Sequence, residues 1–169
     1  DKILGRFVDK LDELKIRDNT IIVWVTDNGT DTTITGSLNG REVVGQKAST
    51  AEAGLCVPFI VNCPGLVPQG VETDGLTDVT DLLPTFAELG GGTLQEGYVY
   101  DGKSIASHIL GKNDDTQRSW ILGMGGQNNA KLTDAGVENQ FVFRDRVLRE
   151  KRFKLYVNPQ RQAERLVDV

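Results

Sequence analysis

An amphipathic helix pattern leads directly into a continuous apolar segment near the start of the chain. Apolar residues recur at intervals of three and four between Ile3 and Leu14, the spacing of a helix with one apolar face. After Asp18 and Asn19 comes Ile21–Val25, a run with no polar interruption. A helix, a tight connection and such a strand make half of an α/β unit. We therefore predict that this strand is buried on both faces.

Further α/β elements follow along the chain. The apolar run VPFIVNC is predicted to be a second strand, and the Pro-Gly pair that follows ends it. TDVTDLLPTFAELGG is predicted to be a helix that Thr80 or Asp81 caps, with Pro84 tolerated in its first turn. GKSIASHILG predicts another short helix. The polar segment between residues 29 and 51 is predicted to be a long loop, which in a compact domain is often functional.

The pattern changes to alternation in the last third of the chain. Within KRFKLYV, one face carries Phe153, Leu155 and Val157, and the other carries Arg152, Lys154 and Tyr156. This spacing of two predicts a small antiparallel sheet with a hairpin at Glu150-Lys151. The predicted organisation is an α/β portion over residues 1–115 and an antiparallel β subdomain over residues 116–169.

Charge and hydropathy argue against two kinds of partner. The chain carries 19 basic and 24 acidic residues, a formal net charge of −5. Such a chain lacks the basic stripe that a nucleic-acid partner requires, so no nucleic acid is expected. The longest apolar run is far too short to cross a bilayer, so no membrane span is expected, and the chain opens without a targeting segment.

Histidine and cysteine usage narrows the chemistry further. His108 is the only histidine, which disfavours His-rich zinc sites and a Ser-His-Asp triad, and it is predicted to be a surface or packing residue. An extended segment would hold the Cα atoms of Cys56 and Cys63 roughly 23 Å apart, which is beyond disulfide reach. We therefore expect two half-buried free thiols.

Asp27, Asn28 and Gly29 follow the first apolar strand directly. Ligands in open α/β sheets gather beyond the carboxyl ends of strands, and these two side chains offer one anionic and one neutral oxygen. Such oxygens suit a hard cation such as Ca²⁺ or Mg²⁺ better than zinc. The simpler interpretation is a local turn, because Asp-Asn-Gly forms turns for its own reasons. From these residues alone both interpretations stay open.

Five segments in order resemble the C-terminal half of type I sulfatases, which belong to the alkaline-phosphatase-like superfamily. They are NTIIVWVTDNG, GQKASTAEAGLCVPFIVNCPG, TDVTDLLPTFAELGG, DGKSIASHILG and VLREKRFKLYV. The helix before the first segment and the closing ERLVDV also resemble their counterparts in the family. The resemblance covers nearly the whole chain. It implies the C-terminal part of an alkaline-phosphatase-like α/β domain followed by a small antiparallel sheet.

The resemblance also implies roles for three residues. Asp27 and Asn28 match the family's Asp and Asn ligands of a Ca²⁺ ion, and Lys47 matches the lysine that contacts the sulfate. A fixed cation and an ammonium would stabilise the negative charge that gathers on a sulfate ester as its bond breaks. The chain departs from the family pattern where EGG becomes Glu52-Ala53-Gly54. This change is tolerable if Ala53 does not need a positive φ.

The family nucleophile, a formylglycine made within a C/S-x-P-x-R motif, has no counterpart in this chain. The chain also opens without Met, inside a helical pattern. We therefore expect a fragment of a longer sulfatase, inactive alone, whose parent hydrolyses a sulfated small molecule or a sulfated glycan. The resemblance further implies a periplasmic or extracellular location.

Two alternatives to a sulfatase stay open. A phosphatase or phosphodiesterase of the same superfamily would typically carry Asp-His at the strand end to hold zinc, and Asn28 argues against this. A non-catalytic binding module would fold alone and hold Ca²⁺ weakly. The segment MGGQNNAKLTDAGVENQ, residues 124–140, is a candidate substrate loop and equally a surface loop between strands.

Overall fold

The computed structural model describes residues 2–126, 130–139 and 143–169. It is a mixed α/β structure with small antiparallel sheets. The helices are α1 (Lys2–Glu13), α2 (Glu52–Leu55), α3 (Leu82–Leu89) and α4 (Ala106–Ile109). The strands are β1 (Ile22–Val25), β2 (Thr35–Leu38), β3 (Arg41–Val44), β4 (Phe59–Asn62), β5 (Ile121–Met124), β6 (Ala130–Thr133), β7 (Gly136–Asn139), β8 (Arg146–Arg149), β9 (Phe153–Val157) and β10 (Ala163–Asp168).

The chain packs into two compact units, each made of separate stretches of sequence. The first unit contains the chain up to Val25 together with Pro58–Arg118, and the second contains Thr26–Val57 together with Ser119–Val169. The division into residues 1–115 and 116–169 stays a prediction, because packing within one chain does not test which parts fold independently.

In the first unit, β1 pairs with β4 in an antiparallel sheet of two strands. Leu4 and Val8 of α1 line the same groove as Ile22 and Trp24 of β1. The prediction that β1 is buried on both faces is wrong, because the side chain of Trp24 is 46% exposed. The physical reason is that α1 lies over the groove lined by Trp24 without closing it, so this face of β1 stays partly exposed.

A buried carboxylate organises the start of α3. The single turn Val79–Asp81 precedes the helix, and Asp78 caps this turn by accepting the Thr80 N–H, while Asp81 accepts the Asp78 N–H in return. Asp81 is the N-cap residue of α3 itself, one of the two candidates from the sequence, although its side chain makes no capping hydrogen bond to that helix. Its carboxylate instead completes a reciprocal capping box with Asp78 around the preceding turn.

The Asp81 carboxylate also binds Arg118, the last residue of the first unit in sequence. The Asp81 side chain is fully buried and accepts hydrogen bonds from Nε and Nη2 of Arg118, at 2.9 Å for the Nε contact, and from the Lys103 N–H at 2.7 Å. The hydrogen bonds to Asp81 raise the pKa of Arg118 above its usual value. Because every oxygen of this buried carboxylate is hydrogen-bonded, the contact is structural.

Among the described residues, neither His108 nor either cysteine belongs to a group of three or more His, Cys, Asp or Glu side chains that could hold a metal ion. Nδ1 of His108 lies 3.0 Å from the Asn113 carbonyl oxygen and Nε2 lies 3.1 Å from Thr73 Oγ1, which confirms the predicted packing role. Cys56 and Cys63 are both free. The expectation that both are half-buried is wrong, because Cys56 is exposed on the helix C-cap and Cys63 is buried against the Asp18 carbonyl.

In the second unit, the predicted long loop contains a hairpin. β2 and β3 pair in register around Asn39 and Gly40, whose φ angles are 52° and 76°. The loop prediction is therefore wrong over residues 35–44. An Asn-Gly pair supplies the two positive φ angles that a tight hairpin turn needs, and it was the signal in the sequence for this hairpin.

A sheet of four antiparallel strands, in the order β10-β9-β8-β5, confirms the predicted antiparallel portion. The Glu150 N–H donates to the Phe153 carbonyl, as expected for the predicted hairpin. Alternation along β9 is also present, yet the buried side carries Lys154, which is 1% exposed, while Phe153 is 37% exposed. Lys154 shares its face with Val147 and Gly123, which pack against Leu55 of α2.

The candidate substrate loop over residues 124–140 is described in part. Residues 127–129 and 140 lie outside the described residues. Between them, β6 and β7 pair as a short hairpin, with Thr133 opposite Gly136. A role of this segment in substrate recognition stays a prediction.

Candidate functional site

The Asp27-Asn28 bend is bound to the segment that contains α2 by close backbone contact. The Gly29 N–H donates to the Gly54 carbonyl at 3.1 Å. A Cβ on Gly29 would overlap the Ala53 carbonyl oxygen and would lie 2.6 Å from Gly54 Cα. Only glycine fits this approach, so the third residue of the Asp-Asn-Gly motif has a steric reason to be there.

A second close contact brings Lys47 back to the same bend. The Lys47 N–H donates to the Thr30 carbonyl at 3.0 Å, two residues beyond Asn28. A Cβ on Gly45 would overlap the Asp31 carbonyl oxygen, so Gly45 lets the two backbones touch. Residues 19 positions apart in the sequence are therefore brought within one tight cluster. We name the residues 27–31 and 45–54 the folded-back loop.

The folded-back loop holds one strained residue next to Lys47. Ala48 has a φ of 67°, in the left-handed region that non-glycine residues avoid. Its carbonyl accepts the Gly126 N–H at 2.7 Å. By contrast, Ala53 lies in α2 and is not among the residues with positive φ. The condition under which Glu52-Ala53-Gly54 can replace the family's EGG is thus met.

Asp27 and Asn28 lie at the bend with their oxygens accessible. Asp27 is exposed and Asn28 is half-buried. The Asp27 carboxylate forms no hydrogen bond or ion pair with other described residues. Within residues 2–126, 130–139 and 143–169, no group of three or more His, Cys, Asp or Glu side chains could hold a metal ion. The two residues fit part of a hard-cation site, since Ca²⁺ takes six to eight oxygen ligands.

Lys47 is exposed, and its positive charge helps to lower the pKa of Asp31, which closely follows the Asp27-Asn28 bend. The pKa of Asp31 is lowered, first by a hydrogen bond from the Thr33 N–H, then by the Thr33 hydroxyl, and to a smaller extent by the positive charge of Lys47. Lys47 thus adds to the effect of Thr33 in favouring the ionised form of Asp31. The roles of Asp27, Asn28 and Lys47 in catalysis stay predictions.

Glu52 and Lys154 form a contact that sequence reasoning did not find. Lys154 Nζ donates to Glu52 Oε1 at 2.6 Å, and Arg149 Nε lies 3.5 Å from the same oxygen. Glu52 begins α2, directly before the Ala53-Gly54 pair that receives Gly29. Local pattern could not reveal this contact, because the two partners are 102 positions apart in sequence.

Comparison with known proteins decides the family. The sulfatase family model matches residues 1–92, more than half of the chain. The chain belongs to the sulfatase family. Among relatives of this sulfatase-family chain, an arylsulfatase of Hemicentrotus pulcherrimus is 36% identical over 106 residues, covering 62% of the chain and 19% of the relative. An N-acetylgalactosamine-6-O-sulfatase of Bacteroides thetaiotaomicron is 31% identical over 153 residues, covering 85% of the chain and 29% of the relative.

Solved structures confirm the fold of this sulfatase-family chain. The crystal structure of Ps i-CgsB superposes with a TM-score of 0.72 at 24% identity, covering 97% of the chain and 33% of that protein. The predicted fold class, an α/β portion followed by a small antiparallel sheet, is thereby confirmed. The chain spans less than a third of the length of the relatives named above. No helix in the part of the chain that the structure describes is long and apolar enough to cross a membrane.

Proposed function

We propose that this chain is part of a longer sulfuric ester hydrolase and contributes one side of its active site. The observation that carries the proposal is the folded-back loop, in which the Asp27-Asn28 bend and the Lys47 turn are joined through Thr30 and Gly54. Two oxygen-bearing side chains and a lysine on one folded-back loop are suited to binding a sulfate ester with a metal ion. Membership of the sulfatase family supports the same reaction.

Each residue of the loop has a distinct chemical task in this proposal. The oxygens of Asp27 and Asn28 would hold Ca²⁺, with Mg²⁺ as the alternative ion. The bound ion supplies a fixed positive charge beside the sulfate oxygens. Lys47 donates to a sulfate oxygen and stabilises the charge that grows there as the ester bond breaks. The formylglycine nucleophile would come from a segment of the parent that this chain does not contain.

The substrate of the parent is proposed to be a sulfated glycan or a sulfated small molecule. The two relatives named above represent these two classes, since one is an arylsulfatase and the other is an N-acetylgalactosamine-6-O-sulfatase. A periplasmic or extracellular location belongs to the same proposal.

The test of Lys47 uses the parent protein and a chromogenic aryl sulfate in the presence of Ca²⁺. Lys47→Ala is expected to lower kcat by about a hundredfold, because losing one charge-stabilising donor typically costs roughly 3 kcal/mol in the transition state. Lys47→Arg should restore little activity, because a planar fork replaces a compact charge. Lys112→Ala, which removes an exposed lysine outside the folded-back loop and outside residues 124–140, is the matched control and should leave kcat unchanged. Equal rates in the Lys47 and Lys112 variants would overturn the role of Lys47.

A second experiment separates the metal site from the ammonium. Asp27→Ala in the parent is expected to abolish activity and to weaken Ca²⁺ binding in a calorimetric titration. Asp114→Ala removes an exposed carboxylate from the segment that follows α4 and should change neither quantity. The isolated chain should show no turnover above the protein-free rate, because it contains no activated nucleophile. Turnover that persists through repurification would contradict the fragment proposal.

A further inference from the structure

The last 27 residues of the chain carry a net positive charge, opposite in sign to that of the whole chain. Residues 143–169 contain eight Lys or Arg and four Asp or Glu, whereas the whole chain has a net charge of −5. Some of these cations are neutralised locally. Lys154 and Arg149 approach Glu52, and Arg152 pairs with Asp168 at 2.8 Å. Other arginines of this segment contact an aromatic ring instead of a carboxylate.

Two such arginines converge on one ring. The guanidinium carbon of Arg146 lies 3.9 Å from the centre of the Phe143 ring, and that of Arg161 lies 5.1 Å from the same centre. Neither forms an ion pair with another residue among those that the structure describes. Two like charges repel each other, so a cluster of this kind is favoured when an anion lies between or beside them. We name Phe143, Arg146 and Arg161 the arginine pair cluster.

One nitrogen of the cluster has no acceptor. The Nε of Arg146 is buried and lacks a hydrogen-bond partner within the described residues. A buried donor without an acceptor costs about 1–3 kcal/mol, so such donors in native proteins usually meet an oxygen of water or of a ligand. This observation is independent of the charge count and points to a missing acceptor at the same place.

Arg161 occupies a position that its side chain does not favour. Its φ is 66°, in the left-handed region. The turn that holds it is firmly bonded, since the Asn158 N–H donates to the Gln162 carbonyl at 3.0 Å and the Arg161 N–H donates to the Asn158 carbonyl at 2.9 Å. Asn or Gly would adopt this backbone at lower cost. Local strain of this kind tends to persist where the side chain has a function.

The cluster lies at the end of the sheet that meets the folded-back loop, where β8 begins and β9 ends, although Arg146 is on the face opposite Val147 and Lys154. The Gly126 N–H donates to the carbonyl of Ala48, the neighbour of Lys47, and the Gly125 N–H donates to the carbonyl of Asp145, the neighbour of Arg146. Two hydrogen bonds and three chain steps thus separate the backbones of Lys47 and Arg146. Their Cα atoms can be at most roughly 20 Å apart, a distance that a short oligosaccharide spans.

We propose that Arg146 and Arg161, stacked on Phe143, form a subsite for a second anionic group of a polyanionic glycan whose scissile sulfate lies at Lys47. The inference rests on the proposed function for the position of the scissile sulfate. Arginine suits the task because its planar fork binds sulfate or carboxylate oxygens in pairs and stacks on an aromatic face at once. A glycan with one sulfate would gain nothing from this subsite.

The test compares two sugars in binding to the intact chain and in turnover by the parent. The probes are a disulfated oligosaccharide and the same oligosaccharide with a single sulfate. Arg161→Asn should weaken binding of the disulfated probe about fivefold or more and make it less sensitive to salt, while the monosulfated probe is unaffected. Because Asn tolerates the left-handed turn, Arg161→Asn should keep or raise the Tm, which a merely structural arginine would not allow. Arg146→Gln should show the same selective loss in binding.

Arg152→Ala is the matched control, because Arg152 also lies over a phenylalanine ring, at 5.0 Å from Phe153, but pairs with Asp168. It should leave both sugars unaffected. A probe with a carboxylate in place of the second sulfate tells which anion the subsite prefers. Equal losses for both sugars, unchanged binding in Arg161→Asn, or equally tight binding of a DNA oligonucleotide would each overturn the proposal. If the parent failed to hydrolyse aryl sulfates while the selective loss in binding remained, the proposed function would fail and the subsite would stand.

Discussion

Lys154 lies almost entirely inside the second unit, whereas its partner Glu52 is half open to solvent. The side chains are 1% and 48% exposed, and the Lys154 Nζ to Glu52 Oε1 distance is 2.6 Å. The pair is therefore asymmetric. Removing the buried ammonium leaves a carboxylate that water can solvate, but removing the carboxylate leaves a charge that water reaches poorly.

We predict that Glu52→Gln lowers the free energy of unfolding by about 2–3 kcal/mol, whereas Lys154→Met lowers it by about 1 kcal/mol or less. The double variant should be more stable than Glu52→Gln alone, because Met removes the stranded charge. Urea unfolding of the four proteins measures the coupling. Asp168→Asn breaks the exposed pair with Arg152 and should cost less than about 1 kcal/mol. Equal costs for the two single variants would contradict the asymmetry.

Gly29→Ala is predicted to destabilise the second unit by about 3 kcal/mol, because the new methyl group would overlap the Ala53 carbonyl oxygen. The backbone must open there, so Ca²⁺ binding should weaken as well. The control is Gly36→Ala in β2, where a Cβ meets nothing within 4 Å. Thermal unfolding of both variants checks the difference. A Gly29→Ala protein as stable as Gly36→Ala would show that the two backbones are not in close contact.

Ala48→Gly is predicted to raise stability by about 0.5–1 kcal/mol, because glycine adopts a φ of 67° without the clash of a Cβ. Ala53→Gly is the matched change within α2, and there glycine should cost about 0.5–1 kcal/mol. Opposite signs in the midpoints of chemical unfolding are the expected result. Two changes of the same sign would contradict the left-handed conformation of Ala48.

Asp31 should titrate below its usual value of 3.8, because Thr33 and Lys47 favour its ionised form. Its contribution to stability is therefore present above the unfolded-state pKa and is lost as pH falls through the lower, folded-state pKa. Thr33→Val should raise the pKa of Asp31, and Lys47→Ala should raise it less, following the order of the causes. Carbon-detected NMR titration of the carboxyl group gives both values. If Lys47→Ala left the Asp31 pKa unchanged at low salt, the ammonium would lie elsewhere.

The sequence predicted well those helices and strands whose formation depends mainly on neighbouring residues. The period of α1, the apolar run of β4 and the alternation of β9 each need only a few neighbouring residues, and the structure contains all three. The caps show the limit of local reasoning. Asp81 lies at the N-cap of α3 as the sequence predicts, but its carboxylate is bound by the distant Arg118 and Lys103, which local pattern does not reveal.

The sequence singled out the residues of the candidate site, but it did not reveal the backbone contacts that bring their segments together. The resemblance to sulfatases singled out Asp27, Asn28 and Lys47 as separate motifs. Their approach depends on Gly29 and Gly45, whose lack of a side chain matters only once the partner backbone is known. The burial of Lys154 is a stronger case, because a lysine in an alternating strand is ordinarily exposed and its partner Glu52 lies 102 positions away.

The order in which the chain is synthesised bears on when this site can exist. The second unit is built from Thr26–Val57 and Ser119–Val169, with the whole of Pro58–Arg118 between them. At about 5–20 residues per second, Glu52 leaves the ribosome roughly 5–20 seconds before Lys154 emerges. During that interval the folded-back loop lacks the sheet that supports it. Chaperone occupancy in this window, more than the stability of the finished unit, would then limit the yield of folded protein.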